Sequence, residues 1–363
     1  MNKQTRLVGI DLCRAIAAFA VILVHSGDES WGLPISDRAI QFRHLFYFAV
    51  PFFLAASFYF GVKKMPLVLD RNFWRKKFQR IVMPYLLWSI FYVVSKTVVF
   101  LATNDREQIQ QMLSDPVAII FFGAASYHLY FIPLLFAGTI LLYWANYLYA
   151  QHNSLWTLAA FSIFSLITYQ LLIVFNNDFD LGSYTAFSDL LQLVSSDNIL
   201  YQPLRILLVD LSWIIRCLPY FSSALLLQAT LEQNELRWVY KKETATALLL
   251  FFILLNLIGD RYLPAAICEL SIAYSLLLFG ITISRHLPNN NLIDNLGLCS
   301  FGIYLIHPFI KSAVEVVAIK FLPAMTQSVS ILSMLFYSIP SFLISWLVIS
   351  IMQKDKLISQ YTT

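Results

Sequence analysis

Ten apolar stretches, long enough or nearly so to cross a lipid bilayer, leave this 363-residue chain one broad solution. Hydrocarbon offers the backbone no hydrogen-bond partners, so each stretch must satisfy its own amides as a helix. The stretches lie near 7–26, 39–61, 81–101, 127–148, 155–175, 207–229, 244–259, 263–283, 296–319 and 328–352. Charged residues make up only 13% of the chain, against roughly 25% in soluble domains. Short loops account for the rest, with no room for a separate soluble domain. The expectation is all-α: a polytopic membrane helix bundle of about ten transmembrane helices, forming a single integral membrane domain over residues 1–363. The segment PVAIIFFGA (116–124) is too short to cross alone and is expected to dip in or lie at the interface.

Lysine and arginine set the orientation. With the N-terminus inside, the inner segments hold Lys3, Arg6, seven cations between Lys63 and Arg80, Arg237, Lys241, Lys242, Arg285, Lys354 and Lys356. The outer loops hold Arg38, Arg106, Arg261 and Lys320, beside acidic residues such as Asp28, Glu29, Asp178 and Asp180. Both termini are therefore expected in the cytoplasm of a multi-pass cell (inner) membrane protein. This topology already accounts for the net charge of +4, so no nucleic acid partner is expected. The cysteines Cys13, Cys217, Cys268 and Cys299 fall in apolar segments without metal-ligand spacing and read as packing residues; no metal is expected.

The first span carries three groups that lipid normally excludes: Asp11, Arg14 and His25. Asp11 and Arg14 break the apolar run a secretory signal would need, so the segment reads as an uncleaved span. Three apart, they share a helix face and can neutralise each other. Arg14 and His25 are eleven residues apart, which returns them to within about 20° of one face, roughly 16 Å apart along the axis. Ionisable groups inside a membrane face a bundle interior or a wet cavity, and point to function.

Other polar groups are scattered along the chain. Lys77 and Arg80, three apart and one turn before Pro84, form a pair able to hold phosphates, although the flanking cations Lys63, Lys64 and Arg71 read as topogenic. His128 opens the fourth span, and His44 reads as an interfacial group. Asp210 and Glu269 can each orient a histidine or neutralise Arg205 or Arg216. Tyr304 and His307 share a face of the ninth span, which also carries Lys311 and Glu315. The outer loop 176–206 is long enough to fold over a site or contact an acceptor, or to serve as a passive connector.

In order, these segments resemble the motifs of the acyltransferase-3 family of integral membrane acyltransferases. The first span resembles its Arg-x10-His signature through Arg14 and His25. Lys77 and Arg80 ahead of Pro84 are similar to its Arg-x-x-Arg pair, PFFLAAS to its second-span motif, HLYFIPLLF to its fourth-span motif, and SFGIYLIHPFI to its Tyr-x-x-His motif. Lys77 stands where the family has arginine, and Phe58 where a glycine usually follows the serine.

The resemblance implies transfer of an acyl group, usually acetyl from acetyl-CoA, to a hydroxyl of a surface polysaccharide or lipid-linked glycan. CoA would be bound by Arg14, Lys77 and Arg80. His25 would be catalytic, as general base or transient acyl carrier, with Asp11, His128, Glu269, Tyr304 and His307 in support. Membrane lipid is the remaining partner. The competing class is a transporter or flippase that uses the buried charges for coupling, although neither an inverted repeat nor matching Gly/Pro-broken helices is evident.

Overall fold

The computed structural model describes residues 6–26, 34–64, 71–151, 154–232, 241–322, 327–355 and 359. Lys3, Asp28, Glu29, Arg237 and Lys356 lie outside them. The helices in chain order are α1 (Val8–His25), α2 (Asp37–His44), α3 (Ala49–Lys63), α4 (Arg71–Lys77), α5 (Met83–Ala102), α6 (Arg106–Leu113), α7 (Phe131–Gly138) and α8 (Leu141–Gln151). They continue with α9 (Leu155–Val174), α10 (Ser188–Leu191), α11 (Tyr201–Glu232), α12 (Lys242–Tyr262), α13 (Ala265–Ile283), α14 (Asn291–Phe321) and α15 (Ile331–Met352). Among the described residues there is no sheet, only isolated bridges at Ile35–Val329 and Asp180–Thr185. The protein is an all-α, polytopic helix bundle.

Among the described residues, eight helical segments are long and apolar enough to cross a membrane. The other two expected spans fall on α11, which carries Arg205, Asp210 and Arg216, and on α7 and α8, which break at Thr139–Ile140. The segment 116–124 is a π-helical turn, Ala118–Phe122. It is stopped by Gly123 at φ 82°, where a Cβ would strike the backbone of Leu129 and Tyr130. Helices α5, α9 and α12 expose Val98, Ile163, Phe164 and Leu254, the apolar outer faces that lipid requires.

The chain forms two compact units, Met1–Ser57 with Asn234–Thr363, and Phe58–Gln233. In the first, α1 is the central helix, packed on α13, α14 and α15. Small residues permit this: Ala17, Ala18 and Ala20 are fully buried, and membrane helices gain contact chiefly by such close approach. Leu7 offers α1 no side-chain cap. The Gly9 N–H instead donates to Ser284 Oγ of α13 at 2.9 Å. Asn295 Oδ1 ties α14 to α15 by accepting from Trp346 Nε1 at 2.7 Å and Ser350 Oγ at 2.9 Å.

Gly297 of α14 lies directly against the Asp11 side chain, leaving no room for a Cβ. Gly297→Ala is expected to push Asp11 out of place and lower stability by about 1–3 kcal/mol, the range for overpacking. Thermal unfolding in detergent would read this as a lower midpoint.

In the second unit α9 packs along α11, with Ser165 and Ser222 hydrogen-bonded at 2.7 Å between them. Phe58, in the place of the family's glycine, is buried against Phe221. The close approach is supplied from the opposite helix by Gly138, whose missing side chain makes room for Phe58 and Cys217.

Candidate functional site

At the N-terminal end of α1, Asp11 is buried and does not chiefly neutralise Arg14. Arg6 Nε takes Asp11 Oδ2 at 2.5 Å, and Arg6 Nη2 donates to the Asp294 carbonyl at 2.6 Å. Arg14 is left 4.0 Å from Asp11 Oδ1. Its buried Nε has no hydrogen-bond partner among the described residues. Sequence spacing correctly put Asp11 and Arg14 on one face, but it could not weigh a cation entering from outside the helix. The result is a half-buried guanidinium with donors to spare, the feature that suits an anionic oxygen.

At the other end of α1, the His25 ring lies near that of His307, with centroids 6.0 Å apart and planes 24° apart. Tyr304 adjoins His307 at 6.1 Å. His307 is fully buried, and its Nδ1 is 2.7 Å from the Tyr304 carbonyl. A carbonyl only accepts, so Nδ1 carries the proton. Lys311, also buried, donates to the His25 carbonyl at 2.7 Å and pairs with Glu315 at 3.3 Å. An ammonium thus sits on the last carbonyl of α1, where the helix dipole is negative.

The structure therefore brings His25, Tyr304 and His307 together. It adds Lys311 and Glu315, to which spacing gave no role. Their signal was present, since a lysine and a glutamate four apart inside an apolar span demand a partner. The spatial link to His25 was not legible, because α14 lies far along the chain.

Glu269 is placed by the cavity it lines. With His44, Tyr47, Asn256 and Asp260 it lines a separate cavity of about 260 Å³ in the same unit. The contacts Gly9–Ser284 and Cys13–Leu276 make α13 antiparallel to α1. The Glu269 end of α13 and the His25 end of α1 therefore lie toward the same end of the unit.

Lys77, Arg80 and His128 belong to the second unit. The helix changes to π geometry at Phe78–Val82, immediately after Lys77, so the pair straddles a change of pitch and not one regular face. Such π turns recur at functional sites. Lys77 lies over the Phe73 ring and is half-buried; Arg80 is exposed. His128 is buried against Tyr92, with Nδ1 3.1 Å from Ser126 Oγ.

The outer loop folds back onto its own unit. Arg205 donates to the Ser183 and Tyr184 carbonyls and pairs with Asp115 at 2.7 Å, while Phe179 packs on Trp213. Burial works against the Asp115 carboxylate, but the Arg205 hydrogen bond and the Ala118 N–H outweigh it and hold its pKa below the usual range. Arg205 is thus committed to Asp115 and the loop, and not to Asp210.

A bundle of apolar helices that gathers an arginine cluster at one end of a span and paired imidazoles at the other defines a multi-pass membrane protein built for polar chemistry. A protein-family profile described as an acyltransferase domain matches residues 7–350, nearly the whole chain. The chain belongs to that family, acyltransferase-3, and is a membrane acyltransferase; the family carries the enzyme reading and not the transporter one. No curated protein and no solved structure matches it.

Proposed function

We propose that this protein transfers an acetyl group from cytoplasmic acetyl-CoA to a hydroxyl of an extracytoplasmic polysaccharide or lipid-linked glycan, within the cell (inner) membrane. The observation that carries the proposal is Arg14, whose acidic neighbour is taken by Arg6, on the same helix face as His25. The fit to CoA rests on that guanidinium, because a fork of N–H donors matches phosphate oxygens. Within the second unit, Lys77 and Arg80 are further candidates for phosphate oxygens.

With the N-terminus inside, Arg14 faces the donor's compartment and His25 the acceptor's. The roughly 16 Å between them is covered by the pantetheine arm of CoA. His25 acts as general base, taking the proton of the acceptor hydroxyl as its oxygen attacks the thioester carbon and the CoA thiolate leaves. The cavity at Glu269 and Asp260 has the carboxylates and aromatic ring with which proteins hold a polyhydroxylated ring, and we assign it to the acceptor. His128 and Tyr304 support the reaction from their own units.

The test is to incubate membranes with labelled acetyl-CoA and follow label into glycan. Arg14→Gln is expected to raise KM for acetyl-CoA by roughly ten- to 150-fold, the value of about 1.5–3 kcal/mol for a hydrogen bond to a charged group. Arg14→Lys, which keeps the charge and loses the fork, should fall between. Wild-type membranes that incorporate no label, or an unchanged KM in Arg14→Gln, would refute the assignment.

A further inference from the structure

His307 is followed by Pro308 inside the 31-residue helix α14. In an unbroken helix the N–H of residue 308 would donate to the carbonyl of residue 304. Proline has no N–H, so the Tyr304 carbonyl loses its ordinary partner. The group that takes it is the ring of His307, at 2.7 Å through Nδ1. Inside a membrane a freed carbonyl must be satisfied locally, and here a titratable side chain does so. Prolines also interrupt α11 at Pro219 and α15 at Pro340, but there the preceding residues are Leu218 and Ile339, which cannot donate.

We propose that Pro308 is a positioning residue acting through His307: by vacating the Tyr304 carbonyl it commits Nδ1–H of His307 to that oxygen and leaves Nε2 as the proton-accepting nitrogen beside His25. This inference rests on the acetyl-transfer reading and adds a second imidazole to it. A neutral imidazole has one donor and one acceptor nitrogen, so fixing the donor fixes the acceptor. When His25 takes the acceptor's proton, its ring becomes cationic. The His307 ring, its centroid 6.0 Å from that of His25, then stabilises that cation across the gap through the electron-rich Nε2, the supporting role a third group plays behind a general base. The hydroxyl O–H bond breaks, the new O–C bond forms, the C–S bond breaks, and the departing thiolate recovers the proton from His25 as free CoA. His307 begins and ends the cycle in one tautomer.

The test uses the full-length protein purified in detergent, with Pro308→Ala, and Pro340→Ala as the control. Nitrogen-15 NMR of histidine-labelled protein, with His307 assigned from the His307→Gln spectrum, reports the tautomer without any substrate. Wild type should carry the proton on Nδ1, and Pro308→Ala should show a mixture of tautomers, because its restored backbone N–H competes for the Tyr304 carbonyl. Label transfer from acetyl-CoA in native membranes should show kcat reduced about tenfold or more in Pro308→Ala, with KM for acetyl-CoA unchanged. Its thermal midpoint should equal or exceed that of wild type, since proline is unfavourable in a helix interior. Pro340→Ala should share the stability gain and keep full activity. A purely structural proline would lower stability and activity together, so that outcome overturns the proposal. So does a wild-type proton on Nε2, or full kcat in Pro308→Ala. An inactive wild type with the proton on Nδ1 would instead overturn the acetyl-transfer reading and the catalytic role assigned to His307 with it.

Discussion

His25→Ala is expected to lower acetyl transfer by about 10²–10⁴-fold, the usual contribution of a general base, while the protein stays folded in the membrane. The second half of that expectation follows from which atom holds the helix end. Lys311 donates to the backbone carbonyl of His25, not to its ring, and alanine keeps that carbonyl. The ring is half-buried at the last residue of α1, so its removal leaves little void. Label incorporation should collapse, while the membrane-bound amount and the gel-filtration profile in detergent remain those of wild type. Undiminished incorporation would remove His25 from the mechanism.

Lys311→Met is expected to cost both stability and activity, and a second substitution separates the two. The Lys311 side chain is 5% exposed and that of Glu315 21%. Removing the ammonium strands a largely buried carboxylate and strips α1 of the cation on its terminal carbonyl. Breaking a buried pair on one side costs about 3–5 kcal/mol, and partial exposure of Glu315 places this site near about 3. Adding Glu315→Gln removes the stranded charge, so the double variant should recover most of the lost thermal stability. Its activity should stay low, because the hydrogen bond that anchors the His25 carbonyl to α14 is still missing. A double variant that regains both would make the pair a structural feature with no bearing on the imidazole.

Periodicity and hydropathy carry only what is local. The spacing of Arg14 and His25 shows that they share a face, since α-helical geometry is the same in any context. Lys77 and Arg80 were read by the same rule, yet the π turn at Phe78–Val82 changes the pitch between them. Phe58 stands where a glycine usually follows the serine, and Gly138 on the facing helix makes room for it. Asp11 and Arg14 looked like a self-contained pair, but Arg6 competes for Asp11 and has Asp294 as a second partner. In each case a residue outside the helix or a local change in backbone geometry outweighed the spacing rule.

By itself the sequence determined the class of fold and where its chemistry must lie. A chain this apolar can hide its backbone only in helices, and charges inside apolar segments are too costly to be retained without purpose. Tertiary structure alone decided the pairings: that Arg6 relieves Arg14 of its counter-charge, that Lys311 grips the end of α1, and that the His307 ring lies beside that of His25. These depend on which helix faces meet and on distances of a few ångströms, over which Coulomb and hydrogen-bond energies change most steeply.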